Sequence, residues 1–202
     1  MPSELESNVK KIKISAIIFL FLGLSGCGEL RYSEISPEAK NVHPRQIVLL
    51  PADVTAFPEA KGSVDRLFAE VLAERQWFTR ISGGENTAAQ LQKDEELRKA
   101  VSEYLVKLAK VKFSDPVLSS RIGVLTGAEA FLINRVDSWN YTVEDDKKLA
   151  KVGLSITMVE AKTGQILWNA AHNRVSDYLI VQPDLANMAR GLIREMTDRM
   201  PH

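Results

Sequence analysis

The alternation of apolar and polar positions divides the chain into an uncharged N-terminal run, a polar stretch and a long region of regular period. Ile14 to Gly23 is the uncharged run. Gly28 to Arg45 carries Pro37 and Pro44 and keeps no period, which predicts an extended tether. Gln46-Ile-Val-Leu-Leu-Pro51 is apolar on both parities, the pattern of a strand covered on both faces. Val64, Leu67, Phe68, Val71 and Leu72 then fall at helical spacing, so a helix with one buried face follows, with Ser63 as its expected cap. Trp77 to Ile81 predicts a second strand, closed by Gly83-Gly84. Strand, helix and strand of this length fit a right-handed crossover between parallel neighbours.

Thr87 and Gln90 have capping-box spacing, and Leu91, Leu97, Val101, Tyr104, Leu105 and Leu108 continue one amphipathic helix. Asp115-Pro116 opens another, carrying Val117, Leu118, Ile122 and Leu125 and stopped by Gly127. From Glu129 the period becomes two. Phe131, Ile133, Trp139, Tyr141 and Val143 share one parity, and Asn134, Ser138, Asn140 and Thr142 the other, as expected of a half-buried strand. Glu144 to Lys147 reads as a turn, and Ala150, Val152, Leu154, Ile156 and Met158 line one face of the returning strand. Lys162-Thr163-Gly164 turns again into Gln165 to Ala170, completing a three-strand antiparallel meander. A last helix starts near Asp184, with Leu185, Met188, Leu192, Ile193 and Met196 on its apolar side. The expected fold is α/β in the α+β sense: a single domain with a mixed sheet, ordered strand, helix, strand, two helices, meander, helix.

The uncharged run changes the picture of the N-terminus. It follows Lys10, Lys11 and Lys13 and is too short to span a bilayer, which needs about 20 residues, so it reads as a secretory signal peptide. Leu24-Ser25-Gly26-Cys27 ends it and resembles the lipobox of bacterial lipoproteins, in which the cysteine is acylated and becomes the new N-terminus. This predicts a signal peptide at 1–26, a lipidated tether at 27–45 and a folded domain at 46–202. Glu4 and Glu6 are out of character for a leader, and Val9 is an alternative start. Gly28 after the cysteine is not the aspartate that resembles an inner-membrane retention signal, which favours the outer membrane, facing the periplasm.

Charge excludes one partner class. The chain holds 26 basic and 26 acidic side chains, three and two of which lie in the leader, and this balance leaves no footprint for nucleic acid. Cys27 is the only cysteine, so no internal disulfide and no thiolate metal cluster is expected.

Ile47 to Pro51, Leu125-Thr-Gly-Ala-Glu-Ala-Phe-Leu132 and Ala161-Lys-Thr-Gly-Gln-Ile-Leu-Trp168 resemble the signposts of a family of bacterial periplasmic lipoproteins with a TolB N-terminal-like, CsgG- and LpoB-like α/β domain. Ala52 stands where that pattern has Phe, and Glu129 where it has Asp. The resemblance implies a non-enzymatic envelope lipoprotein that binds a protein partner or assembles with its own copies, without a cofactor.

Candidate chemistry is sparse. His43, His172 and His202 have no metal-pair spacing, and no Walker, dinucleotide or Gly-x-Ser-x-Gly motif occurs. His172 with Asp177 and Ser176 is the one conceivable base, orienter and nucleophile set, against which a strand-end surface histidine is the plainer reading. Glu144-Asp145-Asp146 offers hard-cation ligands or simply a solvated hairpin tip. Trp139, Tyr141 and Trp168 read as cross-strand core pairs rather than a ligand platform. The alternative function is a small-ligand binder or hydrolase built on the 53–58 loop and the meander face.

Overall fold

The computed structural model describes residues 32–202. Six strands, β1 (Tyr32–Ile35), β2 (Gln46–Leu49), β3 (Arg80–Ser82), β4 (Ala130–Glu144), β5 (Lys147–Glu160) and β6 (Ile166–Tyr178), form one sheet in the order β1-β6-β5-β4-β2-β3. β2 runs parallel to β3 and β4, and the other pairs are antiparallel. The helices are α1 (Ser63–Arg75), α2 (Glu85–Lys93), α3 (Glu95–Val111), α4 (Pro116–Thr126) and α5 (Leu185–Thr197). The mixed sheet and single α+β domain are those expected.

β2 is the hinge of the packing. Ile47 and Leu49 face the core shared with α1 and α5, whereas Val48 and Leu50 face the core shared with α3 and α4. A strand apolar on both parities therefore sits between two helical layers. The helix α1 buries the five predicted residues. The helix α5 buries Leu185, Met188, Leu192, Ile193 and Met196 over the face of β5 formed by Ala150, Val152, Leu154, Ile156 and Met158. Arg190 bridges Glu70 and Glu74, and Arg194 pairs with Glu74, binding α5 to α1 along their rim.

Several local expectations give way. The cap of α1 is Gly62 at φ 75°, not Ser63, which already lies inside the helix. Thr87 caps nothing: it is buried within α2, and its hydroxyl has no partner among the described residues. The helix predicted through Leu108 breaks at Asp94, whose extended backbone ends α2 and whose carboxylate accepts from the Leu97 N–H at the start of α3. Asp115 and Asp184 cap α4 and α5 in the same way. The second strand covers only Arg80–Ser82, because α1 runs to Arg75 and the chain must still turn through Gln76 at φ 58°. Trp77 stacks instead on the His202 ring, 4.0 Å between centroids.

The parity of β4 is not continuous. A bulge between Val136 and Ser138 adds one residue and exchanges the faces of everything beyond it. Phe131 and Ile133 consequently pack with α3 and α4, while Trp139 packs on the α5 side. Asn134, expected on the wet parity, is fully buried between Leu132 and Val136.

Regular structure begins before Gln46, where the folded domain was expected to start. Tyr32–Ile35 adds an antiparallel strand to the edge of β6, and a 3-10 helix at Pro37–Asn41 buries Ala39 in the core. Ser33 accepts a 3.0 Å hydrogen bond from the Trp168 indole. The four residues of β1 make too little pattern for a period to register, although the strand pairs with β6 along one edge.

Candidate functional site

The two faces of the sheet are covered unequally, and this creates the main cleft. α3 and α4 cover β2 and the adjoining ends of β4, β5 and β6. Farther along β5 that face is polar, with Ser155 and Thr157 between the buried Leu154, Ile156 and Met158 of the opposite face. A cleft of 680 Å3 opens there, between the last turns of α3 (Leu105, Leu108, Ala109), the Pro51-to-Thr55 loop and a floor of Arg135, Ser155, Thr157 and Asn169. It forms beyond the C-terminal end of a parallel strand, a common place for ligands in α/β sheets.

The loop is held in place from three sides. Leu50 N–H donates to Leu132 O, Asp53 N–H to Asn134 O and Val136 N–H to Asp53 O, extending the β2 pairing along β4. Ala52 N–H donates to the Asp65 carboxylate at 2.8 Å, tying the loop to the first turn of α1. Burial pushes the Asp65 carboxyl up, opposed by that hydrogen bond. The Asp53 carboxylate accepts from the Thr55 hydroxyl at 2.7 Å and the Thr55 N–H at 3.0 Å. Those bonds, with a smaller attraction from Arg135, hold its carboxyl below the usual aspartate range. Of the loop expected at 53–58, only Asp53 and Thr55 line the cleft; Phe57 packs against the core, and Pro58–Ala60 forms a 3-10 turn.

On the floor, Arg135 Nε donates to Asp137 at 2.7 Å, Ser155 donates to Asp137, and Thr157 donates to the Asn169 side-chain oxygen at 2.7 Å. The cleft therefore offers amide and hydroxyl groups, the cations Arg135 and Lys112, the carboxylate Asp53 and an apolar wall. Such a surface can bind an extended polar chain. It brings no histidine to a hydroxyl: Ser155 is turned to a carboxylate. A second cleft of 530 Å3 lies before the start of β2, lined by residues 41–44 and Glu129. There the Glu129 carboxylate already accepts the N–H groups of Arg45 and Gln46, so it seats the first residues of β2.

The other predicted residues are scattered. His172 is not a surface residue. It is buried beneath α5, 2.9 Å from Glu195, which also pairs with Arg174. Asp177 points to the opposite face of β6 from His172, as odd spacing requires, so the triad is not assembled. His43 contacts the backbone of His202. Glu144 pairs with Lys151, while Asp145 and Asp146 take φ values of 49° and 61° in the hairpin turn. Trp168 is fully buried, Trp139 nearly so, and Tyr141 is half-exposed, edge-on to Tyr178. Leu24, Ser25, Gly26 and Cys27 lie outside the described residues. Sequence reasoning placed the 53–58 loop beside the meander but missed Arg135 and the end of α3; the run of alternating polar residues on β5 was the available signal.

No family model matches the chain, and no curated protein matches it. Solved structures with partial likeness include the PelC dodecamer from Paraburkholderia phytofirmans, at 18% identity over 78% of this chain and 87% of that one, with a TM-score of 0.47. Lipoprotein GNA1162 from Neisseria meningitidis matches at 10% identity over 78% of this chain and 100% of that one, TM-score 0.47. The LpoB C-terminal domain from Escherichia coli matches at 14% identity over 68% and 93%, TM-score 0.32.

Proposed function

We propose that this chain is a lipid-anchored protein of the bacterial cell envelope, non-enzymatic, whose folded domain binds a protein partner or further copies of itself. The observation that carries the anchoring is Leu24-Ser25-Gly26-Cys27 directly after a charged and then uncharged leader. Residues 1–26 are removed, Cys27 takes the lipid, and the folded domain faces the periplasm from the outer membrane. With β1 in the sheet, the tether shortens to residues 27–31. The half-open sheet face supports the binding role, because it leaves hydrogen-bonding groups of β4, β5 and β6 beside an apolar wall without a helix over them.

Metabolic labelling with palmitate tests the anchor: the native protein takes up label, and Cys27→Ser abolishes it. Label persisting in that variant would refute the reading. Purification from detergent-solubilised envelope, compared with an Arg135→Glu, Thr157→Arg variant, tests the binding face. One partner, or a self-complex, is expected with the native chain and lost with the variant. A second reading, a small-ligand binder, is favoured by the convergence of Asp53 and Thr55 with Arg135 and Thr157 in one cleft.

A further inference from the structure

Leu179, Ile180 and Val181 follow β6 without a polar residue between them and are 88%, 92% and 81% exposed. Val143, near the end of β4, is 67% exposed and aligned with Lys148 and Tyr178 across the three strands. Four large apolar side chains at one end of the domain thus face water. The segment is held at both sides. Lys148 Nζ donates to Leu179 O at 3.4 Å, and Tyr141 donates to Pro183 O at 2.7 Å, its ring edge-on to Tyr178.

The position of β1 says what lies near this end. Tyr32 is paired with Ala171, and β1 is antiparallel to β6, so its N-terminal end points along β6 towards Tyr178. Five peptide units join Tyr32 to Cys27, a reach of at most about 18 Å. From Ala171 to Tyr178 is seven residues, about 23 Å of strand. A lipid on Cys27 therefore keeps the bilayer close to the end of the sheet that carries the apolar segment.

We propose that Leu179 to Val181, with Val143, insert into the membrane interface beside the lipid anchor and orient the domain on the bilayer. The occupant is the lipid surface itself, and the inference rests on the anchoring of Cys27. Glu144, Asp145, Asp146 and Asp177 oppose Lys147, Lys148 and Lys151 around this end, so the contact is apolar rather than a charge attraction to anionic lipid. Tyr141 and Tyr178 flank it, as amphipathic rings do at headgroup depth. An insertion of about 5–10 Å is enough for side chains of this size.

The test uses the mature protein in phosphatidylcholine vesicles, with Ile180→Cys labelled by an environment-sensitive NBD dye and Val124→Cys on exposed α4 as reference. An acylated Cys27 leaves the introduced thiol as the single labelling site, and the mass of the N-terminal peptide reports the acylation. Acylated protein should show several-fold brighter, blue-shifted emission at 180 that nitroxide lipids quench, with water-like emission at 124. Water-like, unquenched emission at 180 in acylated protein would overturn the insertion and leave the anchor standing, pointing to a protein as occupant. An N-terminal peptide without lipid would overturn the anchor and the insertion together.

Discussion

The two faces of the sheet differ most along β5. Towards α5 it presents Ala150, Val152, Leu154, Ile156 and Met158, all buried; towards the other side it presents Lys151, Gly153, Ser155 and Thr157, with Val159 the one residue that reaches the second core. One strand thus serves as the floor of a dry core and of a wet cleft. Coverage, rather than strand propensity, decides which: α5 packs on β5 and β6 over one face, and on the other α3 stops where the Pro51-to-Thr55 loop begins to wall the cleft. The face that folds the protein and the face available for recognition are therefore separable by substitution.

The largest effect should come from the covered face. Trp168→Ala removes a fully buried indole and its bond to Ser33, and it should lower the unfolding free energy by about 3–5 kcal/mol in urea titration. A Leu154→Ala change on the same side should cost about 2–5 kcal/mol. Ser155→Ala, one residue along and on the open face, should cost less than about 1 kcal/mol in the same titration, since its oxygen is bonded at an exposed site. Equal losses at 154 and 155 would erase the distinction between the faces.

Smaller effects sharpen the boundary. Gly164 sits at φ 74°, and a Cβ there would lie 2.9 Å from the Pro116 Cα, so Gly164→Ala should cost about 1–2 kcal/mol or more. A chain beginning at Val42 lacks Ser33, leaving the Trp168 N–H unpaired. It should be less stable than one beginning at Tyr32 by about 1–3 kcal/mol. Asp65→Asn probes the loop. Its folded carboxyl is raised, so the folded state binds more protons than the unfolded chain, and stability declines as pH rises from the ordinary aspartate value through the raised one. The Asn variant, whose side-chain oxygen can still accept from Ala52, should flatten that slope; an unchanged slope would assign it to another group.

Much of this organisation was legible along the chain. The five buried residues of α1, five of the seven in α5 and the inward parity of β5 follow from spacing alone, because each element is long enough for its period to repeat. What escaped depends on single residues. The bulge at Asp137 leaves no periodic trace until the parity has already changed, and the Asp94 break in a long amphipathic run is visible only as one more acidic residue. β1 and the 3-10 helix after it are too short to show a pattern, and pairing with β6 supplies their stability. The cleft escaped in part for a related reason: Arg135 and Lys112 are 23 residues apart in sequence and meet only because α3 ends over β4.

The most direct test of the account places a photo-crosslinking amino acid at Thr157 on the open face and at Arg66 on the solvent side of α1, each in the full-length protein in intact cells. The account predicts a discrete adduct, to one envelope protein or to a second copy of the chain, from position 157 and none from position 66. Adducts of the same pattern from both positions, or from 66 alone, would contradict the assignment of recognition to the uncovered face of the sheet.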